Sequence, residues 1–160
     1  MAILREISVS DNEAIAKIIR GVLVELGVPK VGTAYADPEL DSMFFTYQKA
    51  RSAYFVIEVD GQLLGGGGIA PLAGGPEAIC ELQKMYFLPQ ARGMGWGEKL
   101  IDACLDFAKE QGFTQCYLET MPYMKAAQKL YKKKAFRYID GPMGATGHTS
   151  CNVWMTKTFA

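Results

Sequence analysis

Gln90-Ala91-Arg92-Gly93-Met94-Gly95-Trp96-Gly97 is the stretch on which the reading of this chain turns. An apolar run, Ala78 to Phe87, precedes it and closes at Leu88-Pro89. The positions Leu100, Ile101, Cys104, Leu105 and Ala108 follow as one apolar stripe at helical spacing, over a helix from about Gly93 to Gln111 that stops at Gly112. The octapeptide is therefore a strand-to-helix loop. Glycines without a Cβ let an anion approach the backbone, and successive amides in such a turn form an anion cradle. The unpaired amides and dipole of the following helix add to it, so the loop suits a pyrophosphate, to which Arg92 can add a charge-assisted contact.

Working outward, Phe113 to Glu119 reads as a strand. Pro122 suits the first position of a helix running to about Lys133, where Lys132 to Lys134 complement the macrodipole. Strands at Phe136 to Ile139 and Cys151 to Thr158 complete this half. Toward the N-terminus, Ala2 to Ser8 reads as a strand, and Ser10-x-x-Glu13 has the spacing of a capping box. The stripe Ile15, Ile18, Ile19, Val22, Leu23 and Leu26 makes an amphipathic helix closed by Gly27 and Pro29. Val28 to Asp37 is a loop, followed by a second helix over about Pro38 to Ala50. Ala53 to Val59 and Gln62 to Ala70 flank Asp60-Gly61 as a β-hairpin. Within the second of these strands, Gly65 to Gly68 reads as a bulge or close backbone approach rather than a phosphate loop. The order mixes hairpins with strand-helix-strand crossovers, which predicts an α+β fold around a mixed central sheet of about seven strands and about four helices.

A chain of 160 residues with 49% hydrophobic content fits one domain over 1–160. Seventeen basic and seventeen acidic residues leave no net charge, which argues against nucleic acid or an anionic membrane as partner and for a small molecule. The apolar runs are far shorter than a bilayer span needs, and Met1 to Ser10 lacks a signal-peptide pattern, so the expectation is a soluble, unprocessed, cytoplasmic protein. Cys80, Cys104, Cys116 and Cys151 show no CxxC pair, consistent with buried thiols in a reducing compartment. His148 beside Cys151 makes neither a zinc site, so no metal is expected, nor a convincing thiol nucleophile.

Glu119 follows the glycines at about the distance of a dinucleotide fold's ribose ligand. Against that reading stand the Gly-x-Gly-x-Gly spacing, a feeding strand that follows a hairpin, and the lack of a second βαβ unit.

The chain resembles the GCN5-related N-acetyltransferases, whose Gln/Arg-x-x-Gly-x-Gly/Ala hallmark is matched by Gln90-x-x-Gly93-x-Gly95. A second match is Ala127-x-x-Leu130-Tyr131 followed by Ala135-Phe136, close to the family's Ala-x-x-Leu-Tyr and Gly-Phe. The resemblance is clearest from Glu81 to Phe136 and implies the acyl-CoA N-acyltransferase fold, with a mostly antiparallel sheet and acetyl-CoA as co-substrate. It implies that main-chain groups of Met85, Tyr86 and Phe87 pair with the pantetheine arm and that Arg92, Gly93, Met94, Gly95, Trp96 and Gly97 hold the pyrophosphate. Ala127 and Tyr131 would face the thioester, with Tyr131 protonating the leaving thiolate while a backbone N–H near Met85 polarises the carbonyl.

The resemblance further implies direct attack by a primary amine. Glu81, expected on one face with Gln83 and Met85, is the first candidate for the base; Glu119 and an ordered water chain are the others. Tyr35, Asp37 and His148, in the loops Val28 to Pro38 and Asp140 to Ser150, are candidate acceptor contacts. The acceptor would be a small amine or amino-acid-like molecule, or a protein amine, and a homodimer is the family expectation. Met124 stands in place of a common asparagine and Ala135 in place of a glycine. These departures motivate the alternative of a non-catalytic acyl-CoA-binding sensor or scaffold module.

Overall fold

Asp60 and Gly61 adopt left-handed φ values of 50° and 81°, as a tight two-residue turn demands. They join β2 (Ala53–Val59) to β3 (Gln62–Pro71). In the computed structural model, which describes residues 1–159, these strands belong to one sheet with β1 (Ala2–Glu6), β4 (Ile79–Phe87), β5 (Gln115–Thr120), β6 (Arg137–Ile139) and β7 (Val153–Thr158). Its order is β1-β2-β3-β4-β5-β7-β6, and only the β4–β5 pair is parallel. This is the mixed, mostly antiparallel α+β sheet the sequence predicts. No helix among the described residues is long and apolar enough to cross a membrane.

Two apolar helix stripes hold the sheet between them. On one face α1 (Asn12–Glu25) buries Ile15, Ile18, Ile19, Val22 and Leu23 against Tyr54, Val56 and Leu63. On the other, α3 (Trp96–Glu110) buries Ile101, Cys104, Leu105 and Ala108 against Cys80, Leu82 and Cys116. Full burial of each large aliphatic side chain contributes roughly 1.5–3 kcal/mol, so these stripes fix both helices to the sheet. The helix α4 (Lys125–Lys133) joins the α3 face through Tyr131, and Lys134 just past its end pairs with Glu98 and Asp102 of α3 at 3.1 and 2.8 Å.

Three local expectations are corrected. The capping contact falls two residues earlier than the Ser10-x-x-Glu13 spacing suggests: the Asp11 carboxylate accepts from the Ser8 N–H at 2.7 Å and from Arg5 at 2.8 Å. The helix expected over Pro38 to Ala50 is a 3₁₀ segment, Pro38–Ser42, and a short helix α2, Met43–Thr46. It breaks where Ser42 leaves helical geometry, at φ −140° and ψ 45°. Pro122 does not open α4 but sits in a turn closed by the Met124 N–H on the Met121 carbonyl at 3.1 Å, a place its fixed φ suits equally well.

A fourth correction shapes the site. Glu81, Gln83 and Met85 were expected on one face, yet Met85 packs with the α3-side cluster while Tyr86 packs with the α1-side one. Lys84 takes a left-handed φ of 51°, and the β3–β4 register shifts between Gly66 and Gly68. This bulge adds one residue to β4 and reverses the alternation beyond it. The glycine run thus lies opposite the extra residue of β4.

Candidate active site

β4 and β5 pair only over Ile79–Gln115, Cys80–Cys116 and Glu81–Tyr117, and then diverge. From Leu82 onward β4 has a strand partner on its β3 side alone. The fork opens into a cleft of about 490 Å³, walled by Lys84 to Phe87 of β4, Leu118 to Thr120 of β5 and residues of α4. One end is the glycine loop and the start of α3. There Gly93 and Gly95 take φ values of 77° and 81°, a backbone state that an L side chain strains to adopt. Arg92, Gly93, Gly95, Trp96 and Gly97 line this end, whereas Met94 is exposed at the loop and is absent from the lining. The Arg92 guanidinium is already engaged, bonding both Glu25 oxygens at 2.9 Å and the Phe87 carbonyl at 3.1 and 2.9 Å.

Ala127 and Tyr131 of α4 line the same cleft. Tyr131 packs its ring edge-on to Phe136, with centroids 6.0 Å apart. Its hydroxyl makes no hydrogen bond to a described residue and is not among buried unpaired atoms, so it opens on the cleft. Burial pushes the Tyr131 hydroxyl well above its ordinary value, which keeps it protonated.

A second, polar group of residues occupies the α1 side of the fork. Asp37 accepts from His148 Nε2 at 2.8 and 3.0 Å, and Lys84 Nζ lies 3.1 Å from Asp37 and 3.4 Å from Glu39. The two expected acceptor loops are clasped by this pair, by the Ser150 N–H on the Gly32 carbonyl at 2.9 Å, and by the Ser150 hydroxyl on the Val31 carbonyl at 2.8 Å. Burial pulls His148 down, but its bond to Asp37 prevails and raises it; burial pushes Asp37 up, but His148 and Lys84 hold it low. Tyr35 stands apart: it packs on the α1-side cluster under the Lys30 ammonium, 5.2 Å from the ring centre.

Glu81 is buried on the strand that carries the bulge. It accepts from the Gln83 amide at 2.7 Å, and the Tyr47 hydroxyl donates to the other end of that amide at 2.6 Å. Burial pushes Glu81 up to about 7, with the Glu119 charge adding to the rise and the Gln83 bond opposing it. Glu119 lines the cleft and accepts from the Tyr117 hydroxyl at 2.7 Å and the Thr146 hydroxyl at 2.6 Å. Cys151 is pushed up to about 12 by burial and nearby carboxylates, the reverse of an activated thiolate. Among the described residues no group of three or more His, Cys, Asp or Glu side chains is placed to hold a metal ion.

Lys84, Gln83, Tyr47 and Tyr54 belong to this region and were not singled out from the sequence. Only the glycines of β3 hinted at them. A Cβ on Gly66 would lie 2.5 Å from the Tyr54 ring, and one on Gly68 would lie 2.7 Å from Tyr54 and 3.0 Å from Tyr47.

The sequence model of the acetyltransferase (GNAT) family matches residues 23–136. YjgM, an uncharacterized N-acetyltransferase of Escherichia coli strain K12, is 46% identical over 156 residues, covering 97% of this chain and 93% of that one. The IAA acetyltransferase of Azospirillum brasilense is 30% identical over 112 residues, 70% of this chain and 71% of that one. Among solved structures, a GNAT-family acetyltransferase from Staphylococcus aureus Mu50 superposes with a TM-score of 0.87 at 21% identity, covering 99% of both chains. The PaiA N-acetyltransferase of Thermoplasma acidophilum, solved with coenzyme A, gives 0.79 at 17% identity, again over 99% of both. These two share the fold with this chain.

Proposed function

Because the chain belongs to the GNAT family of acetyltransferases and is an acetyl-CoA-dependent enzyme, we propose that it transfers the acetyl group to a primary amine by direct attack, with both substrates held at the β4–β5 fork. The observation that carries this reading is the fork itself, which runs without interruption from the glycine loop to Tyr131. The unpaired edge of β4 offers main-chain groups of Met85, Tyr86 and Phe87 to the pantetheine arm as an added strand would. The loop amides and the start of α3 fit the pyrophosphate. Arg92, committed to Glu25, contributes by shaping the loop unless that pair opens.

The chemistry follows from the groups around the fork. An aliphatic amine is mostly protonated near neutrality and cannot attack until it loses a proton. Glu81, held near 7, is suited to accept it, since a base poised at the working pH combines availability with driving force. The nitrogen then forms its bond to the acetyl carbon as the carbon–sulfur bond breaks. Tyr131, kept protonated by burial, gives its proton to the departing thiolate, and the second proton of the attacking nitrogen, lost as the amide forms, restores the tyrosine. The Met85 N–H stabilises the charge that develops on the carbonyl oxygen. The acceptor, a small or amino-acid-like amine, enters on the α1 side, where the bond between Asp37 and His148 joins the two loops.

Purified protein and acetyl-CoA incubated with a pooled library of amines, amino acids and peptides, read by mass spectrometry, tests the reading. An acetylated amine is expected, and rate patterns for the identified acceptor should intersect as in a ternary complex. Parallel patterns, or acetyl-CoA binding with no product from any amine, would overturn it.

A further inference from the structure

The run Gly65 to Gly68 and the strained Lys84 point to a device that neither the glycine loop nor Tyr131 explains. Lys84 has a φ of 51°, rare for a residue with a long side chain, and so its peptide plane needs holding. Tyr54 holds it: its hydroxyl, buried, donates to the Lys84 carbonyl at 2.8 Å. Tyr54 stands on β2 and reaches β4 across β3, which lies between them in the sheet. It can cross only because β3 presents glycines there, since a Cβ on Gly66 or Gly68 would fall 2.5 or 2.7 Å from its ring. Tyr47 packs beside it, centroids 5.2 Å apart, and closes the space.

The Lys84 carbonyl and the Met85 N–H belong to one peptide unit, and no peptide bond among the described residues is cis. In a trans peptide the carbonyl and N–H point in opposite directions. A carbonyl drawn toward Tyr54, on the β2–β3 side, therefore sends the Met85 N–H to the other side, where β5 has diverged and Met85 lines the cleft. We propose that Tyr54 is a positioning residue for acetyl transfer: by gripping the Lys84 carbonyl through the glycine window of β3, it aims the Met85 N–H at the thioester oxygen. The proposal rests on the reading of the Met85 N–H as the polarising donor given above. It assigns the glycine run a role in the reaction without any contact to substrate.

Tyr54→Phe keeps the ring in its window and removes only the grip. The vibrational band of acetyl-CoA isotope-labelled at the acetyl carbonyl, measured bound to wild type and variant, reads the polarisation directly and needs no acceptor. In wild type the band is expected below its position in an apolar solvent. In Tyr54→Phe it should return upward, with acetyl-CoA affinity unchanged and kcat lowered by about 10- to 100-fold. A band equally low in both proteins overturns the positioning role alone. A wild-type band that is not lowered overturns the Met85 donor itself. If the variant does not fold, wild-type protein still decides: the Tyr54 hydroxyl proton should be protected from solvent exchange in its nuclear magnetic resonance spectrum, and a freely exchanging hydroxyl overturns the grip.

Discussion

At Ala135 a single atom group separates the chain from its family's pattern. The residue ends α4 with a left-handed φ of 70°, while the Phe136 N–H bonds the Tyr131 carbonyl at 3.0 Å, the closure that glycine normally serves. The left-handed cost for an L-residue is about 1–2 kcal/mol, partly offset by the looser unfolded chain that glycine brings. Ala135→Gly should stabilise the protein by roughly 0.5–1 kcal/mol, seen as a higher urea midpoint at unchanged slope. Glu81 is expected to show the opposite bargain. Its folded value of about 7 lies above the ordinary 4.5, so below pH 4.5 it costs nothing, and stability falls as pH rises from there through 7. Glu81→Gln should gain on the order of 2–3 kcal/mol over wild type at pH 8 in denaturant melts. The same variant should lose about a hundredfold in kcat/KM together with the acid limb near pH 7. Ala135 was legible as a departure, and Glu81 as a candidate base. Lys84 was not, because nothing in an apolar-polar run marks the residue that will turn left-handed.

The elements that our proposal sets nearest the acceptor are two loops, joined by the Asp37–His148 pair and by two Ser150 hydrogen bonds. His148 is raised above its ordinary value once Asp37 outweighs the effect of burial, so its contribution is present below pH 6.5 for as long as Asp37 stays ionised and is lost as pH rises through the raised folded value. Among the groups that face this histidine, Lys84 lowers it and Glu81 raises it, and Glu119 lies 3.9 Å from its Nδ1. His148→Gln should remove that part of the pH dependence of the melting temperature and raise the KM for the acceptor several-fold. The KM for acetyl-CoA, which we propose binds at the other end of the fork, should stay unchanged. Both loops were read as acceptor loops from the sequence, yet the contact between Asp37 and His148 spans most of the chain and no local pattern announces it. The helix expected over Pro38 to Ala50 failed for a related reason: its residues Leu40 and Met43 are buried in the α1-side cluster, whose shape a 3₁₀ segment and one short turn satisfy. Tertiary packing decided the element where propensity was weak.

Across the whole molecule, the order of strands and helices followed from apolar periodicity, the Asp60-Gly61 turn and the glycine loop, because each is a local signal. The cleft did not follow in the same way. It arises where a parallel pair, β4 and β5, stops after Glu81 and a bulge on β4 follows, two features that are properties of strand pairing and not of any segment. The family resemblance supplied what periodicity lacked, placing Tyr131 and the β4 main chain on one site, and the structure brings both to the wall of one cleft. The most direct test of that arrangement compares wild type with Tyr131→Phe on the amine identified from the pool. Acetyl-CoA should bind both within about twofold, while kcat falls by about a hundredfold in the variant through loss of the proton donor to the thiolate. A variant that binds acetyl-CoA equally well and turns over at the wild-type rate would contradict the assignment of the fork's inner end as the place where the thioester is broken.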